Sequence, residues 1–351
     1  MERNESEIPF VNLHGHSVAG SIFDAVGYPQ EHMDFAYQNG CDALALTDHG
    51  NMNGLSYQVL HGKKMQAEGK NFKPIYGVEA YFTPSISEWH EAYLADKAEK
   101  KKKKDEDNSL SIEDEGASKQ AIKNILNRRR HLILLAQNQE GLSNIFKMIS
   151  KSYKRPHFFK YPRVDYDLLK EHSEGVIAAS ACLGGVYAGC LWENREEGEE
   201  AILTAMREVT EKMIDIFGDR WYGELQWNNV PEQHQLNKYI IQMHEEYGIK
   251  LVSTCDSHYP SPEAWKTREA YKRIGYIVKK WSKQQTEIPE NVDEIGYELY
   301  PKNGDEVWAS YLKYAKECET EYNDEIILQS IKESHHIAHG RIDNFFPDNT
   351  E

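Results

Sequence analysis

The chain has 351 residues, of which 40% are hydrophobic, so it can bury a substantial core in one large domain or two ordinary ones. Its formal charge of −16, from 57 acidic and 41 basic residues, would repel a polyanion. Tight binding of a polyanion through the overall charge of the chain is therefore excluded. The five cysteines show no pairing pattern, which indicates a reducing, cytoplasmic setting, and no apolar run approaches the roughly 18 residues of a membrane-spanning helix.

Short apolar runs alternate with helical patterns along most of the chain. The runs predict strands at 10–13, 43–47, 74–82, 132–136, 176–180, 221–227 and 251–254. The patterns between them predict helices at 30–39, 55–68, 141–153, 197–217 and 231–247. Such alternation is typical of a parallel sheet covered by helices, and seven units without a second sheet favour closure into a barrel.

Residues 85–130 interrupt this alternation. The run from Lys97 to Lys104 is mostly cationic, and acidic runs follow it at 105–107 and 113–115. Few of these residues can be buried, so we expect a solvated, partly helical insertion, although its lysines could contact a nucleic-acid backbone.

The pattern changes again after the seventh predicted strand. A proline-marked turn precedes a predicted helix that extends to about Trp281, and a short strand at 298–300 and helices from Gly304 and Glu325 follow. We expect a solvated lead-in at 1–9, a barrel at 10–260 and a C-terminal extension at 261–351 that packs on the barrel.

Side chains that can bind metal ions occur near the ends of several predicted strands. His14 and His16 follow the first strand, and because side chains alternate along a strand the two imidazoles face the same side. The carboxyl ends of barrel strands converge on one rim. The other candidates are Asp48, His49, Glu79, His131, Cys182, Asp256 and His258. His131 does not fit the rule, because it comes at the start of its strand.

The donor set implies more than one metal ion. Neutral imidazoles and a thiolate suit zinc, while carboxylates also admit manganese, iron or magnesium. One ion takes about four to six ligands, and the candidates exceed that number. A carboxylate that bridges neighbouring ions is therefore the economical arrangement.

Each candidate also has an ordinary explanation when it is taken alone. Asp48 could brace the turn that follows it, Cys182 could be a small buried side chain, and His131 could be a hydrogen-bonded histidine at a strand edge. We interpret the other cysteines and five further histidines as structural: Cys41, Cys190, Cys255, Cys318, His234, His244, His335, His336 and His339. The i, i+4 spacing of His335 and His339 is one that can in principle bind metal.

The ordered set of motifs resembles the polymerase and histidinol phosphatase (PHP) domain, in the version found at the N-terminus of bacterial DNA polymerase III alpha subunits. The motifs are LHGHS at 13–17, DA at 24–25, TDHGNM at 47–52, GVEAY at 77–81, HLILLA at 131–136, SACLGG at 180–185 and DSHY at 256–259. The resemblance extends from about Phe10 to Ile342, which is nearly the whole chain.

The resemblance implies an α/β fold, a distorted seven-stranded (β/α)7 barrel of PHP type that holds three divalent metal ions (zinc, manganese, iron or magnesium). The implied ligands of the first ion are His14, His16, Glu79 and Asp256, which are also the implied catalytic residues. Those of the second ion are Glu79, His131 and Cys182. Those of the third ion are Asp24, His49 and His258.

The resemblance also implies a metal-dependent phosphoesterase of the 3′–5′ exonuclease type, which removes mispaired nucleotides from DNA 3′ ends with metal-activated water. Arg163 or the lysines at 97–104 would then supply local attraction for the phosphates. The alternatives are a small-molecule phosphatase of the histidinol phosphatase type and a non-catalytic module that stabilises a polymerase.

The partners that the resemblance implies are a DNA 3′ end, the remaining polymerase chain and other replisome subunits, without a membrane. A polymerase palm needs a cluster of aspartates. The only Asp-x-Asp signatures lie at 105–107 and 165–167, in the insertion and in an expected turn. We therefore expect a fragment, or one part of a split polymerase.

Overall fold

Seven strands form one curled sheet in the computed structural model, which describes residues 3–105, 125, 128–278, 288 and 290–348. The strands are β1 (Ala43–Leu46), β2 (Lys73–Phe82), β3 (Arg130–Ala136), β4 (Arg163–Val164), β5 (Val176–Ala179), β6 (Trp221–Leu225) and β7 (Lys250–Ser253). Their order is β1-β2-β3-β5-β6-β7, and the short β4 pairs with β2. The predicted α/β fold with a barrel-like sheet is confirmed.

Residues 10–16 link the two edges of this sheet. The backbone carbonyls of Asn12 and Gly15 accept hydrogen bonds from Ala45 in β1 and from Thr47 just beyond it. On the other side, the His16 amide donates to the carbonyl of Ser257, which follows β7. The segment occupies the place of the first predicted strand, although it pairs as an isolated bridge at Gly15 and is not a regular strand.

One strand runs against its neighbours, so the expectation of a wholly parallel sheet is wrong. The β1–β2, β2–β4, β5–β6 and β6–β7 pairs are parallel, whereas β3 is antiparallel to both β2 and β5. Tyr81 near the end of β2 pairs with His131 near the start of β3. Because β3 begins beside the end of β2, the chain between them does not need to cross back over the sheet.

Eleven regular helices lie in the part of the chain that the structure describes. They are α1 (Pro29–Gln38), α2 (Leu55–Ala67), α3 (Ile86–Asp105), α4 (Gln139–Ser152), α5 (Tyr166–Glu171), α6 (Val186–Asn194), α7 (Glu199–Phe217), α8 (Pro231–Tyr247), α9 (Trp265–Val278), α10 (Gly304–Glu317) and α11 (Asp324–His336). Among the residues described here, no helix is long and apolar enough to span a bilayer.

The predicted helices agree with the observed ones within a few residues, because their ends carry strong local signals. Pro231 occupies the first turn of α8 and Gly248 ends it at φ 70, while the Asn138 side chain caps α4. Three helices were not predicted individually, namely α3, α5 and α6. The expected strand at 298–300 is irregular chain, and the acidic runs beyond residue 105 lie outside the described residues.

The C-terminal segment closes the end of the sheet where the parallel strands begin. A π-helical turn, Ile337–Arg341, follows α11. Ile337 and Ile342 pack into the inner core cluster with side chains from the inner face of the sheet, such as Ile75 and Val252. The larger outer cluster lies between the sheet and its helices. The opposite end of the sheet therefore stays available for polar side chains.

We expect Glu319→Gly to raise the free energy of unfolding by about 1 kcal/mol. Glu319 is exposed, follows the C-cap of α10 and has φ 49, a left-handed conformation in which glycine avoids the steric cost of a Cβ atom. Glu317→Gly is the matched control. It places glycine inside the last turn of the same helix and should lower the free energy of unfolding. Chemical denaturation measures both, and a Glu319→Gly protein less stable than the parent would contradict this account.

Candidate metal centre

Nine side chains predicted from the sequence converge on one rim of the sheet. They are His14, His16, Asp24, His49, Glu79, His131, Cys182, Asp256 and His258. The apparent exception, His131, reaches this rim because β3 is antiparallel, so its start lies where the parallel strands end. The antiparallel direction of β3 therefore explains why a candidate ligand occurs at the start of a strand.

Glu79 lies at the middle of the cluster and is fully buried in β2. Its Oε1 atom lies 2.8 Å from His131 Nδ1 and 3.6 Å from His14 Nε2. Its Oε2 atom lies 2.6 Å from His49 Nδ1 and 3.4 Å from His16 Nε2. One carboxylate thus faces four imidazoles, which is the geometry expected of a group that bridges cations.

Asp256, in the segment after β7, faces two of these imidazoles and that of His258. Its Oδ1 atom lies 3.1 Å from His14 Nε2, 3.2 Å from His16 Nε2 and 3.5 Å from His258 Nδ1. His14, His16 and Asp256 each offer one atom to a common point, and so do His49, Glu79 and His131. The structure therefore groups Glu79 and His131 with His49 as well as with the predicted partner Cys182.

The remaining candidates lie on two sides of this pair of carboxylates. Cys182 Sγ is 3.6 Å from His131 Nδ1 and 4.0 Å from Glu79 Oε1. On the other side, Asp24 Oδ2 is 3.0 Å from His49 Nε2 and 3.4 Å from His258 Nε2. The sets predicted for three ions are thus adjacent and share ligands across the rim.

Hydrogen bonds behind the centre fix three imidazoles in one orientation. The His14 Nδ1 atom lies 2.7 Å from Glu224 Oε1, and the His258 Nδ1 atom lies 2.7 Å from the Asp256 carbonyl oxygen. His16 Nδ1 lies 3.2 Å from Ser21 Oγ. A carboxylate or a carbonyl only accepts, so His14 and His258 carry hydrogen on Nδ1 and direct Nε2 into the centre.

Asp48 does not join the cluster but braces it. Its Oδ1 atom accepts hydrogen bonds from the Ser17 amide and the Ser21 hydroxyl, and its Oδ2 atom accepts one from the Ser17 hydroxyl. Because the Ser21 hydroxyl donates to Asp48, its oxygen can accept from Nδ1 of His16. Asp48 therefore has a bracing role, as the sequence allowed. It braces the loop that carries His16 and Asp24, however, and not the turn that follows Asp48 itself.

Two residues at the site were missed by sequence reasoning. Glu224 lies in β6 and is 1% exposed, and an acidic residue within an apolar strand is the signal that could have found it. Arg268 of α9 donates from Nη2 to Asp24 Oδ1 at 2.7 Å and from Nε to the Asp24 carbonyl at 2.8 Å. No local pattern marks Arg268, since its partner lies far away in sequence.

Left-handed backbone conformations occur at the ligand-bearing turns. Asp256 has φ 48, Ala181 beside Cys182 has φ 61, and Phe23 beside Asp24 has φ 63. Residues with a Cβ atom adopt this conformation at a steric cost, and such strain concentrates at functional sites. The surrounding fold therefore holds these three turns in the positions that direct the ligands to the rim.

The arrangement fits divalent cations on a direct observation. Glu79 Oε2, Asp256 Oδ1 and His49 Nδ1 are buried, and none of the three makes a well-aligned hydrogen bond among the described residues, although Glu79 Oε2 and His49 Nδ1 lie only 2.6 Å apart. Contacts without hydrogen-bond alignment leave buried polar atoms poorly satisfied, and these three point into the same cluster. Cations bound by the cluster would give each of them a directed ligand bond.

Burial and neighbouring charges shift the pKa values of the side chains in the cluster. Burial and the neighbouring His49 and His258 lower the pKa of His16 to about 3. For His49, burial alone would lower the pKa, but the carboxylates of Glu79 and Asp24 outweigh it and raise the pKa to about 10. Burial, together with nearby carboxylates, raises the pKa of the Cys182 thiol. At His14, burial is likewise outweighed by the carboxylates of Asp256, Glu224 and Glu79, which raise the pKa. At neutral pH the metal-free centre therefore holds protons on His14, His49 and Cys182.

Arg163 does not reach the rim as a phosphate ligand, contrary to the suggestion from the sequence. It is 2% exposed, and its guanidinium lies 4.0 Å from the centre of the Trp89 ring. Its Nε and Nη2 atoms donate to the carbonyls of His157 and Pro156. The Arg163 guanidinium thus makes internal packing contacts and backbone hydrogen bonds and is not directed at a phosphate.

Comparison with known sequences gives a consistent result. The PHP domain family model matches residues 12–228. A DNA polymerase III subunit alpha from Aquifex aeolicus is 37% identical over 72% of this chain and 18% of its own length. The same subunit from Deinococcus radiodurans is 31% identical over 71% of this chain and 16% of its own length. The chain thus spans less than a fifth of these two relatives.

A structural comparison finds a weaker likeness. A two-domain protein from Bacteroides vulgatus, described as containing a predicted PHP-like metal-dependent phosphoesterase, matches with a TM-score of 0.37 and 15% identity. The match covers 74% of this chain and 57% of that protein. At this TM-score the likeness adds nothing to the sequence match.

We expect Glu224→Gln to weaken metal binding by about 10- to 100-fold without unfolding the protein. Glutamine keeps the shape of the side chain but removes the charge that orients His14 and makes its Nε2 atom more basic. Equilibrium titration with Zn²⁺ or Mn²⁺ measures the change. Glu333→Gln, which changes a buried glutamate near the opposite end of the sheet, is the matched control, and equal affinities in the two variants would contradict the role of Glu224.

We also expect metal binding to release protons, so that the affinity for Zn²⁺ rises between pH 6 and pH 8. His14, His49 and Cys182 are protonated in the metal-free centre at neutral pH, and each must lose a proton to act as a ligand. Calorimetric titration in two buffers with different ionisation enthalpies measures the release. Protein already loaded with metal is the control, and an affinity that falls as the pH rises would show that the sign is wrong.

Proposed function

Because the chain belongs to the PHP domain family, we propose that it is a metal-dependent phosphoesterase that hydrolyses the terminal phosphodiester at DNA 3′ ends. The observation that carries this proposal is the buried Glu79 carboxylate, whose two oxygens lie within 3.6 Å of nitrogens from four imidazoles. Hydrolysis of a phosphodiester needs positive charge beside both the attacking and the leaving oxygen, and a bridged cluster provides it.

The nine residues at the rim would hold three divalent ions, for which zinc, manganese, iron and magnesium remain the candidates. The first ligand set is His14, His16, Glu79 and Asp256, the second is Glu79, His131 and Cys182, and the third is Asp24, His49 and His258. Such ions supply Lewis acidity for the attack of water on phosphorus. The chain itself contributes the fixed positions of the ligands, with Glu224, Ser21 and Arg268 holding His14, His16 and Asp24 in place.

A cationic and aromatic surface beside the centre favours a nucleic-acid substrate. The Tyr81 ring lies 6.1 Å from the His49 ring and 5.7 Å from the His131 ring. The Arg129 guanidinium lies 3.9 Å from the Tyr161 ring and 5.2 Å from the Tyr81 ring. Among the described residues, Arg129 has no carboxylate partner, so its charge is available to a phosphate. Aromatic faces beside a cation suit a single strand whose bases stack while its backbone is neutralised.

The relatives suggest the setting of this activity. They are DNA polymerase III alpha subunits, so we propose that the chain works in the cytoplasm with the remaining polymerase chain or other replisome subunits. Asp165 caps α5 by accepting a hydrogen bond from the Leu168 amide, so the Asp-x-Asp signature at 165–167 serves a helix end. Polymerisation would then depend on residues elsewhere.

We also propose that residues 261–351 work as one unit with the barrel at 10–260, since Arg268 holds Asp24.

We expect Asp256→Asn to reduce nucleotide release from a 3′-labelled oligonucleotide by about 100-fold or more, because the variant loses a charged ligand at the centre. Asparagine tolerates the left-handed conformation of this residue, so the thermal transition should persist. Asp215→Asn, at a surface ion pair with Lys170, is the control and should keep full activity. Undiminished release by Asp256→Asn would eliminate the proposed role.

The same assay separates the substrate classes. An unlabelled oligonucleotide should compete with the labelled one far better than histidinol phosphate does, because only the polymer can use the Arg129 surface. The reverse ranking would favour a small-molecule phosphatase. Absence of hydrolysis of either substrate by the metal-loaded protein would favour the non-catalytic module.

A further inference from the structure

We propose a second metal site, separate from the rim, in which Asp42, His335 and His339 bind a zinc-like ion that fastens the C-terminal segment to the start of the barrel. Asp42 immediately precedes β1, whereas His49 follows it, so β1 separates the two sites. His335 lies in the last turn of α11 and His339 in the π-helical turn that follows. This proposal does not depend on the function proposed for the rim.

The distances between the three side chains suit a shared ion. His339 Nε2 lies 2.9 Å from Asp42 Oδ1, and His335 Nε2 lies 3.3 Å from Asp42 Oδ2. The three ligand atoms lie within 4.8 Å of one another. Zinc bonds of about 2.0–2.1 Å in a tetrahedron place neighbouring ligand atoms about 3.3 Å apart. Small side-chain rotations would therefore be enough to bring all three onto one ion.

The backbone around the site is held from two directions. The Lys73 ammonium donates hydrogen bonds to the carbonyls of Ala338 and Ile342, on either side of His339. The Lys73 amide also donates to the Asp42 carbonyl. One lysine thus ties the strand side of the site to the helical side. A π-helical turn is rare and often marks a functional site, and here it carries His339.

Solvent can complete the coordination shell. The side chains of His335 and His339 are each 35% exposed and that of Asp42 is 32% exposed. A cavity of about 220 Å³, lined in part by Asp42 and His335, opens next to them. Two imidazoles and a carboxylate with room for water form a donor set that Zn²⁺, Co²⁺ and Ni²⁺ share.

Such an ion would act on stability. The residues that follow His335 pack into the inner core of the sheet, so an ion that joins Asp42 to this segment would fasten that packing. A ligand that binds the folded state alone stabilises it in proportion to the logarithm of its concentration over Kd. We expect Zn²⁺ at a hundredfold excess over Kd to raise Tm by about 5 °C through this site.

The test is a comparison of Zn²⁺ binding by the full chain after its metals have been removed with a chelator. The parent protein is measured beside His339→Gln and Asp42→Asn, and His336→Gln is the matched control, since His336 is an exposed neighbour outside the cluster. Equilibrium dialysis gives the number of bound Zn²⁺ ions, and thermal melting with and without Zn²⁺ gives the gain in Tm. Nuclease activity is measured in parallel.

We expect His339→Gln and Asp42→Asn to bind one Zn²⁺ fewer than the parent and to lose about 5 °C of the zinc-dependent gain in Tm, with nuclease activity unchanged. The His336→Gln protein should behave as the parent does. If both site variants bind as many ions as the parent and show the same gain in Tm, the cluster is only a pair of Asp–His hydrogen bonds. That result would overturn the proposal, even if the metal-free variants melt at lower temperature. If one variant fails to fold, the other decides.

Discussion

The functional end of this protein depends on one buried carboxylate placed among four imidazoles. Glu79 is fully buried, and an isolated charge in such a position would be prohibitively costly. The four histidines lower that cost, but their contacts with Glu79 Oε2 and Asp256 Oδ1 are not well-aligned hydrogen bonds. Carboxylates surrounded by imidazole nitrogens form a donor set that divalent cations can complete.

The remainder of the fold supplies positions for this cluster. The reversed direction of β3 places His131 at the rim, and the left-handed turn at Asp256 directs its carboxylate inward. Side chains that never touch the centre of the cluster set the imidazoles, with Glu224 behind His14 as the clearest case. At the opposite end of the sheet, the C-terminal segment fills the inner core. One end of the sheet therefore carries the candidate ligands, and the other is closed by apolar packing.

The overall acidity of the chain is compatible with action on a polyanion because the attraction is local. Cations at the rim and Arg129, which has no carboxylate partner among the described residues, would offset the charge of −16 where a phosphate must approach.

The sequence by itself determined the α/β class, most helix ends and eight of the nine candidate ligands, because these depend on short-range signals, whereas Asp24 was proposed only from the resemblance to the PHP domain. Alternation of apolar runs, prolines and glycines at helix ends, and a His-x-His after a strand are all visible within a few residues. Only the tertiary structure decided the direction of β3, the hydrogen bond from His14 to Glu224, the contact of Arg268 with Asp24 and the meeting of Asp42 with His335 and His339. These features join residues far apart in the chain, and no local pattern of hydrophobicity or charge records which distant side chain will pack beside which.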